Sequence, residues 1–327
     1  MNSIILFDPG IRSLNKGDEI IMRSAEYELK KIGILKGNYV IHSATHAPVV
    51  TFYQNTNRNP RMRFYNEAKY KIICGSNLLW KDMLKPRTAL NVNLWNCLPY
   101  KDSILMGVGT GLSQGKTNAY TKRLYSKILS KEFIHSARDQ RTAEFLVNLG
   151  YKAIDTGCPT MWRFTKEFCR EIPNNKAENV VFTLTDYGRE KEFDQKLIDI
   201  LKREYKKVYF WVQGAFDFEY FSSFENTKDI VIVPPDVNEY DSLLKEDDLD
   251  YVGTRLHAGM FAMQHKKRTI ILAIDNRVRD LNKAYHLNTI ERKDVSNLPD
   301  LIHSTLDTDV QLKTENIEKW ISQFQQE

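Results

Sequence analysis

Residues 249–265 read LDYVGTRLHAGMFAMQH, and this stretch decides the fold. The mostly apolar run 249–252 suits a buried strand, 258–264 suits a helix, and Arg255 and His257 stand between them. A helix N-terminus carries a partial positive charge. Basic side chains are disfavoured there unless an anion lies between them and the free backbone N–H groups. A phosphate or carboxylate ligand resolves the conflict. The competing reading pairs Arg255 with a nearby acid and makes His257 a partly buried, hydrogen-bonded histidine. A residue just after a strand and just before a helix lies at the strand's carboxyl end, where ligands of open α/β sheets bind.

Working outward, the alternation of β-rich runs with helical patterns continues along the whole chain of 327 residues. That length exceeds one ordinary core and suits two domains of about 150 residues each. In the first half the strand candidates are 4–7, 39–42, 71–74 and 104–108, with weaker ones near Phe133 and Ala153. Ile21, Ala25, Leu29 and Ile32 mark a helix closed by Gly33. Residues 159–178, PTMWRFTKEFCREIPNNKAE, break the rhythm with prolines, paired asparagines and dense charge. A second alternating set follows at 180–184, 208–212, 230–233, 249–252 and 269–274. The expected fold class is α/β: two Rossmann-like domains with mostly parallel sheets facing a cleft. The expected domains are 1–172 and 173–327, with the final helix, 317–324, able to pack back on the first.

Hydrophobic residues make up 42%, enough for two cores. Cys74, Cys97, Cys158 and Cys169 show neither CxxC nor metal-finger spacing, so a reducing cytoplasm is expected. The apolar runs are only strand-sized, and SIILF at 3–7 is followed at once by Asp8 and Pro9. No signal peptide or membrane span is expected. The net charge of +5 is spread among 42 acids. This gives weak support to acidic ligands or an anionic membrane surface and little to nucleic acid.

Four other segments carry candidate chemistry. Residues 13–19, SLNKGDE, put an amide, an ammonium and a carboxylate (Asn15, Lys16, Asp18) after the first strand. The structural reading there is an Asx turn at Asn15, turn freedom at Gly17 and an N-cap at Asp18. Residues 136–141, SARDQR, place Ser136 and Asp139 at capping-box spacing, with Arg138 in the first turn of the following helix. Residues 107–116, GVGTGLSQGK, fail both phosphate-loop patterns: Leu112 stands where GxGxxG needs a glycine, and Thr110 where GxxxxGK does. Gly109 and Gly111 remain a cleft-lining turn, and Gly75 in CGSNLLWKD makes a second. His42 and His46 are four apart but read as strand and loop, so no zinc site is expected.

In this order the segments resemble the polysaccharide pyruvyl transferase family. Its NxGD-like loop is matched by Asn15, Gly17 and Asp18, and its glycine-rich turns by CGSNLL and GVGTGL. Its R-D helix start is matched by ARDQRTAEFLVNLG. Its most specific block, DYV-x-x-RLHA followed by Asp-x-[RK]-V, is matched by DYVGTRLHAGMFAMQHKKRTIILAIDNRV. The sequence departs from the family pattern at the Gly75 turn, which is poorer in glycine, and at Gln264 and His265, which replace small residues.

The resemblance implies a two-domain fold of the glycosyltransferase B kind and transfer of pyruvate from phosphoenolpyruvate onto a sugar as a ketal. Arg138, Arg255 and Leu256 then bind the donor, and two arginines suit its carboxylate and phosphate. His257 is the general acid. Asp18, across the cleft on the first domain, is the base, and Asn15, Lys16 and Gly17 meet the acceptor, so the first domain is the acceptor side and the second the donor side. No cofactor or metal is expected. The acceptor is a saccharide of a surface polysaccharide or its lipid-linked precursor, at the inner face of the membrane if lipid-linked. The alternatives are a glycosyltransferase of the same fold using a nucleotide sugar and a non-catalytic glycan-binding protein.

Overall fold

The computed structural model describes residues 2–85, 89–111, 115–246 and 248–325. The protein is an α/β chain whose named strand pairs are all parallel. It divides into two compact units: residues 1–13, 21–162 and 313–327 form the first, and residues 14–20 and 163–312 the second.

The first unit holds a four-stranded sheet in the order Tyr39–Ala44, Ser3–Asp8, Tyr70–Cys74, Ile104–Met106. His135–Ala137 and Ala153–Asp155 form a further parallel pair, tied on by the Val108–Ala137 bridge. Ser3–Asp8 and Tyr70–Cys74 are buried almost throughout, as strands covered on both faces must be. Ile5, Phe7, Ile73 and Leu105 serve one core, while Ile4, Leu6, Ile72 and Ile104 serve the other. This is the period of two expected of a strand.

The chain leaves this unit between Trp162 and Arg163 rather than at 172/173. Trp162 belongs to the first core: it lies 5.5 Å from Trp320 ring to ring, and its Nε1 donates to the Thr156 carbonyl. The helix Thr314–Ser322 returns to the same core through Ile317 and Trp320.

The second unit is one six-stranded sheet in the order Val231–Val233, Lys207–Trp211, Asn179–Thr183, Leu249–Gly253, Thr269–Ala273, Thr289–Glu291. Its first strand in sequence lies inside the sheet, and the order reverses between Asn179–Thr183 and Leu249–Gly253. That reversal opens the crevice in which doubly wound folds bind ligands. Thr289–Glu291 is an edge strand too short and polar to show in the sequence. Asp250 inside the Leu249–Gly253 strand is held by Arg268 at 3.0 Å and by the Tyr205 hydroxyl at 2.8 Å.

The helix Lys16–Lys31 carries Asp18 and Glu19 in its first turn and Lys30 and Lys31 in its last, which suits its dipole. All four cysteines are buried and unbridged, and burial raises the pKa of each thiol. Among the described residues no helix is long and apolar enough to cross a membrane.

Candidate functional site

Three strand ends of the second unit bring the candidate residues together. After Asn179–Thr183 come Leu184, Thr185 and Asp186; after Lys207–Trp211 come Gln213, Gly214 and Asp217; after Leu249–Gly253 come Arg255, Leu256 and His257. The strand-to-helix turn at Arg255 is fixed by its own backbone. The Tyr251 hydroxyl donates to the Arg255 carbonyl at 2.8 Å, and the Arg255 N–H donates to Thr183 Oγ1 at 3.2 Å.

The Arg255 side chain is 4% exposed and turned inward. Its Nε donates to Asp217 at 3.1 Å and to the Leu184 carbonyl at 3.3 Å, and its Nη2 reaches Asp186 at 2.9 Å and Asp217. Tyr187 lies over the guanidinium at 5.0 Å. Burial is the largest influence on Asp217 and raises its pKa against the pull of Arg255. Burial acts to lower the Arg255 pKa, but Asp217, Tyr187 and Asp186 outweigh it, and the net shift is upward. The two shifts point to opposite preferences for the pair. Arginine decides, because its guanidinium does not deprotonate in proteins, so the pair is ionised. The expected ligand-facing guanidinium is thus committed to two carboxylates.

The segment 14–20, which includes the start of the helix Lys16–Lys31 and was expected on the first domain, packs in this second unit instead. Lys16 N–H donates to the Gln213 carbonyl at 3.0 Å, Ala215 N–H to the Leu14 carbonyl at 2.9 Å, and Asn15 bridges Gly214. Gln213 Nε2 donates to Asn15 Oδ1 at 2.7 Å, and Gly17 N–H donates to the same oxygen at 3.0 Å. Asn15 therefore caps the helix, and Asp18, expected as the N-cap, lies in its first turn, buried. Gly17 has no positive φ, so it does not serve turn freedom, and it sits in close quarters. A Cβ there would stand 2.9 Å from Gln213 Nε2 and 3.4 Å from His257 Cβ. Lys16 pairs with Glu19 at 3.1 Å on the surface. Gln213 Oε1 and Thr185 Oγ1 are buried with no hydrogen-bond partner among the described residues.

In the first unit Arg138 follows the strand His135–Ala137 and precedes its helix, Gln140–Asn148, instead of lying in the first turn. Asp139 is the N-cap, its Oδ1 accepting from Thr142 N–H at 2.8 Å. Ser136 belongs to the strand, where its hydroxyl accepts from Gly107 N–H at 2.7 Å. Among the described residues Arg138 Nη2 has one loose ion-pair partner, Asp139 at 3.5 Å. The guanidinium lies on Gly109, where a Cβ would stand 2.7 Å from its Cζ and 2.8 Å from Asn77 Oδ1. Asn77 Oδ1 has no hydrogen-bond partner among the described residues. Gly75 and Gly111 stand apart from this group, packed against Ile21 and the Trp80 ring. His42 pairs with Asp8 at 3.0 Å, and His46 with Thr45 at 3.2 Å. Among the described residues no cluster of three or more His, Cys, Asp or Glu could hold a metal. Leu112 and the side chain of Arg277 lie outside the described residues.

Residues 15–276 match the sequence profile of the polysaccharide pyruvyl transferase family. The chain belongs to that family. It is a transferase that modifies polysaccharides. Among curated proteins none matches the transferase in sequence. Solved structures show its fold to be of the glycosyltransferase B kind. UDP-GlcNAc 2-epimerase from Methanocaldococcus jannaschii is 12% identical with a TM-score of 0.51, covering 99% of both chains. UDP-GlcNAc 2-epimerase from Neisseria meningitidis gives the same values. The S. aureus protein MnaA is 10% identical with a TM-score of 0.51, over 99% of this chain and 96% of its own.

Sequence reasoning missed Asp186, Gln213 and Asp217 around Arg255, and Asn77 beside Arg138. The one signal available for the first two was position: TDYG and VQG each directly follow a strand.

Proposed function

We propose that the transferase moves the pyruvyl group of phosphoenolpyruvate onto two hydroxyls of one sugar as a ketal. The observation that carries this reading is the closeness of Gly17 to His257 inside one unit, where a Cβ on Gly17 would stand 3.4 Å from His257 Cβ, so a candidate acid and a candidate sugar-binding segment are neighbours. The buried, unpartnered Gln213 Oε1 and Thr185 Oγ1 support it, because sugar hydroxyls are the donors such acceptors need. In the first unit Arg138, whose one ion-pair partner among the described residues is Asp139 at 3.5 Å, is an expected fork for a phosphate or carboxylate group. Arg255 acts as a positioning residue that fixes the start of the helix Leu256–Gln264.

The reaction balances as follows. His257, as imidazolium, gives its proton to the methylene carbon of the donor, and the phosphate-bearing carbon becomes an oxocarbenium centre. A sugar hydroxyl adds there and passes its proton to Asp18. The phosphate leaves with the electrons of its C–O bond and takes up the proton held by Asp18, so that it departs as hydrogenphosphate and Asp18 is regenerated. The second hydroxyl closes the ring, and its proton restores the balance at His257.

The test is mass spectrometry of the host glycan with and without the protein, paired with purified His257→Gln. A pyruvyl ketal is expected only when the protein is present, and the variant should keep its melting temperature while losing about 10²-fold in turnover. Thermal stabilisation by nucleotide sugars but not by phosphoenolpyruvate would overturn the reading.

A further inference from the structure

One surface of the first unit carries aromatic rings and cations that no part of the proposed reaction uses. Phe52 is 73% exposed, Tyr53 68% and Trp95 72%. The segments bearing them are joined: Leu98 N–H donates to Asn55 Oδ1 at 2.9 Å, two residues from Tyr53 and three from Trp95. The helix Pro60–Asn66 continues this surface. Its Met62 is fully buried, and at about 100° per residue Phe64 points roughly the opposite way, with exposed Arg61 and Arg63 on either side. Residues 51–69 contain Arg58, Arg61, Arg63 and Lys69 against a single acid, Glu67, which pairs with Arg63 at 2.9 Å.

The amides of this region hold its backbone. Asn59 Oδ1 accepts from Arg61 N–H at 3.1 Å, and its Nδ2 donates to the Gln54 carbonyl at 3.0 Å. Asn66 Nδ2 donates to Asn57 Oδ1 at 3.1 Å. The exposed rings and guanidinium groups therefore stand on a fixed scaffold. A neutral saccharide needs directed hydrogen bonds, which these amides spend on one another. An anionic bilayer needs apolar wedges at the headgroup level and cations beside them.

We infer that this face, built from Phe52, Tyr53, Phe64 and Trp95 with Arg58, Arg61 and Arg63, docks the protein on an anionic membrane surface. The occupant is the lipid headgroup layer, and the inference does not depend on the reaction proposed above.

The test uses the full chain in co-sedimentation with vesicles of phosphatidylcholine alone or of phosphatidylcholine and phosphatidylglycerol in equal parts. Binding is expected only to the anionic vesicles. Each basic residue near such a surface contributes about a factor of five to partitioning, so Arg58→Gln, Arg61→Gln and Arg63→Gln combined should weaken binding by about 10²-fold. Phe52→Ser, Tyr53→Ser and Trp95→Ser combined should abolish the binding that survives high salt. As a second readout, the fluorescence difference between wild type and Trp95→Phe should shift to the blue on anionic vesicles. Equal binding by wild type and both variants, binding to a soluble acidic polysaccharide with none to vesicles, or a Trp95 spectrum unmoved by vesicles would each overturn the inference.

Discussion

Arg138 and Arg255 occupy matching places in their two units, each after a strand and before a helix, yet their surroundings treat them oppositely. Arg255 is 4% exposed against an Asp217 side chain that is 0% exposed, with Asp186 completing the cluster. Arg138 lies on a glycine with a carboxylate 3.5 Å away that already caps a helix. An arginine at a helix start can thus be tied down by acids or left loosely held, and the roles proposed above, positioning for Arg255 and anion fork for Arg138, follow that difference. Gly214 shows the same constraint from the other side: a Cβ there would strike the Arg255 guanidinium and stand 3.0 Å from Asp217 Oδ1.

The largest test of this contrast is stability. Arg255→Met leaves Asp217 buried without its cation and should cost about 3–5 kcal/mol. Arg138→Met, which breaks only a loose and partly exposed pair, should cost about 1 kcal/mol or less. Chemical denaturation of both variants measures the difference, and equal losses would erase the distinction.

Next is donor affinity by calorimetry. Arg138→Lys should lose about 1.5–3 kcal/mol of phosphoenolpyruvate binding with little change in melting temperature, because an ammonium lacks the bidentate fork. Arg255→Lys should lower the melting temperature and move the dissociation constant less. The reverse pattern would return Arg255 to the donor.

The smallest effect distinguishes the units by pH. His135 is buried in the first unit, its Nε2 donating to the Ser130 carbonyl at 2.8 Å and its Nδ1 accepting from Leu105 N–H at 3.1 Å. Burial lowers its pKa from 6.5 to about 4. Between those values the unfolded chain binds a proton that the folded chain refuses. The stabilisation is therefore complete above the unfolded value and is lost as pH falls towards the folded one, by about 2 kcal/mol at pH 5. Urea midpoints at about pH 7 and about pH 5 should show this drop in wild type and a smaller one in His135→Gln. His42, whose pKa is raised chiefly by its hydrogen bond to Asp8, works in the opposite direction. The variant comparison is needed for that reason. An equal drop in both proteins would remove His135 as the source.

The central strands and the long first helix were legible because burial imposes period on sequence: 4–7, 71–74 and 180–184 are apolar runs that only covered strands tolerate. Thr289–Glu291 and the pair Asn77–Leu79 with Gly109–Thr110 were not, being too short to show a pattern. Among the candidate residues, Arg138 in the first unit and Arg255 and His257 in the second stood out because cations oppose a helix dipole. Their partners did not, since Asp217 lies 38 residues from Arg255 in the chain and no local signal links them. Gly17 was noticed for the wrong reason, because close approach by Gln213 and His257 is a tertiary fact.

The four buried thiols give the molecule a built-in clock. A thiolate is the species that alkylates, and each of these groups is shielded from solvent with its ionisation suppressed by burial. Reagent must wait for the backbone around each one to open, so modification rates report opening rather than reactivity. Cys74, Cys97 and Cys158 keep time for the first unit and Cys169 for the second, which lets peptide mapping read two unfolding events from one untagged chain.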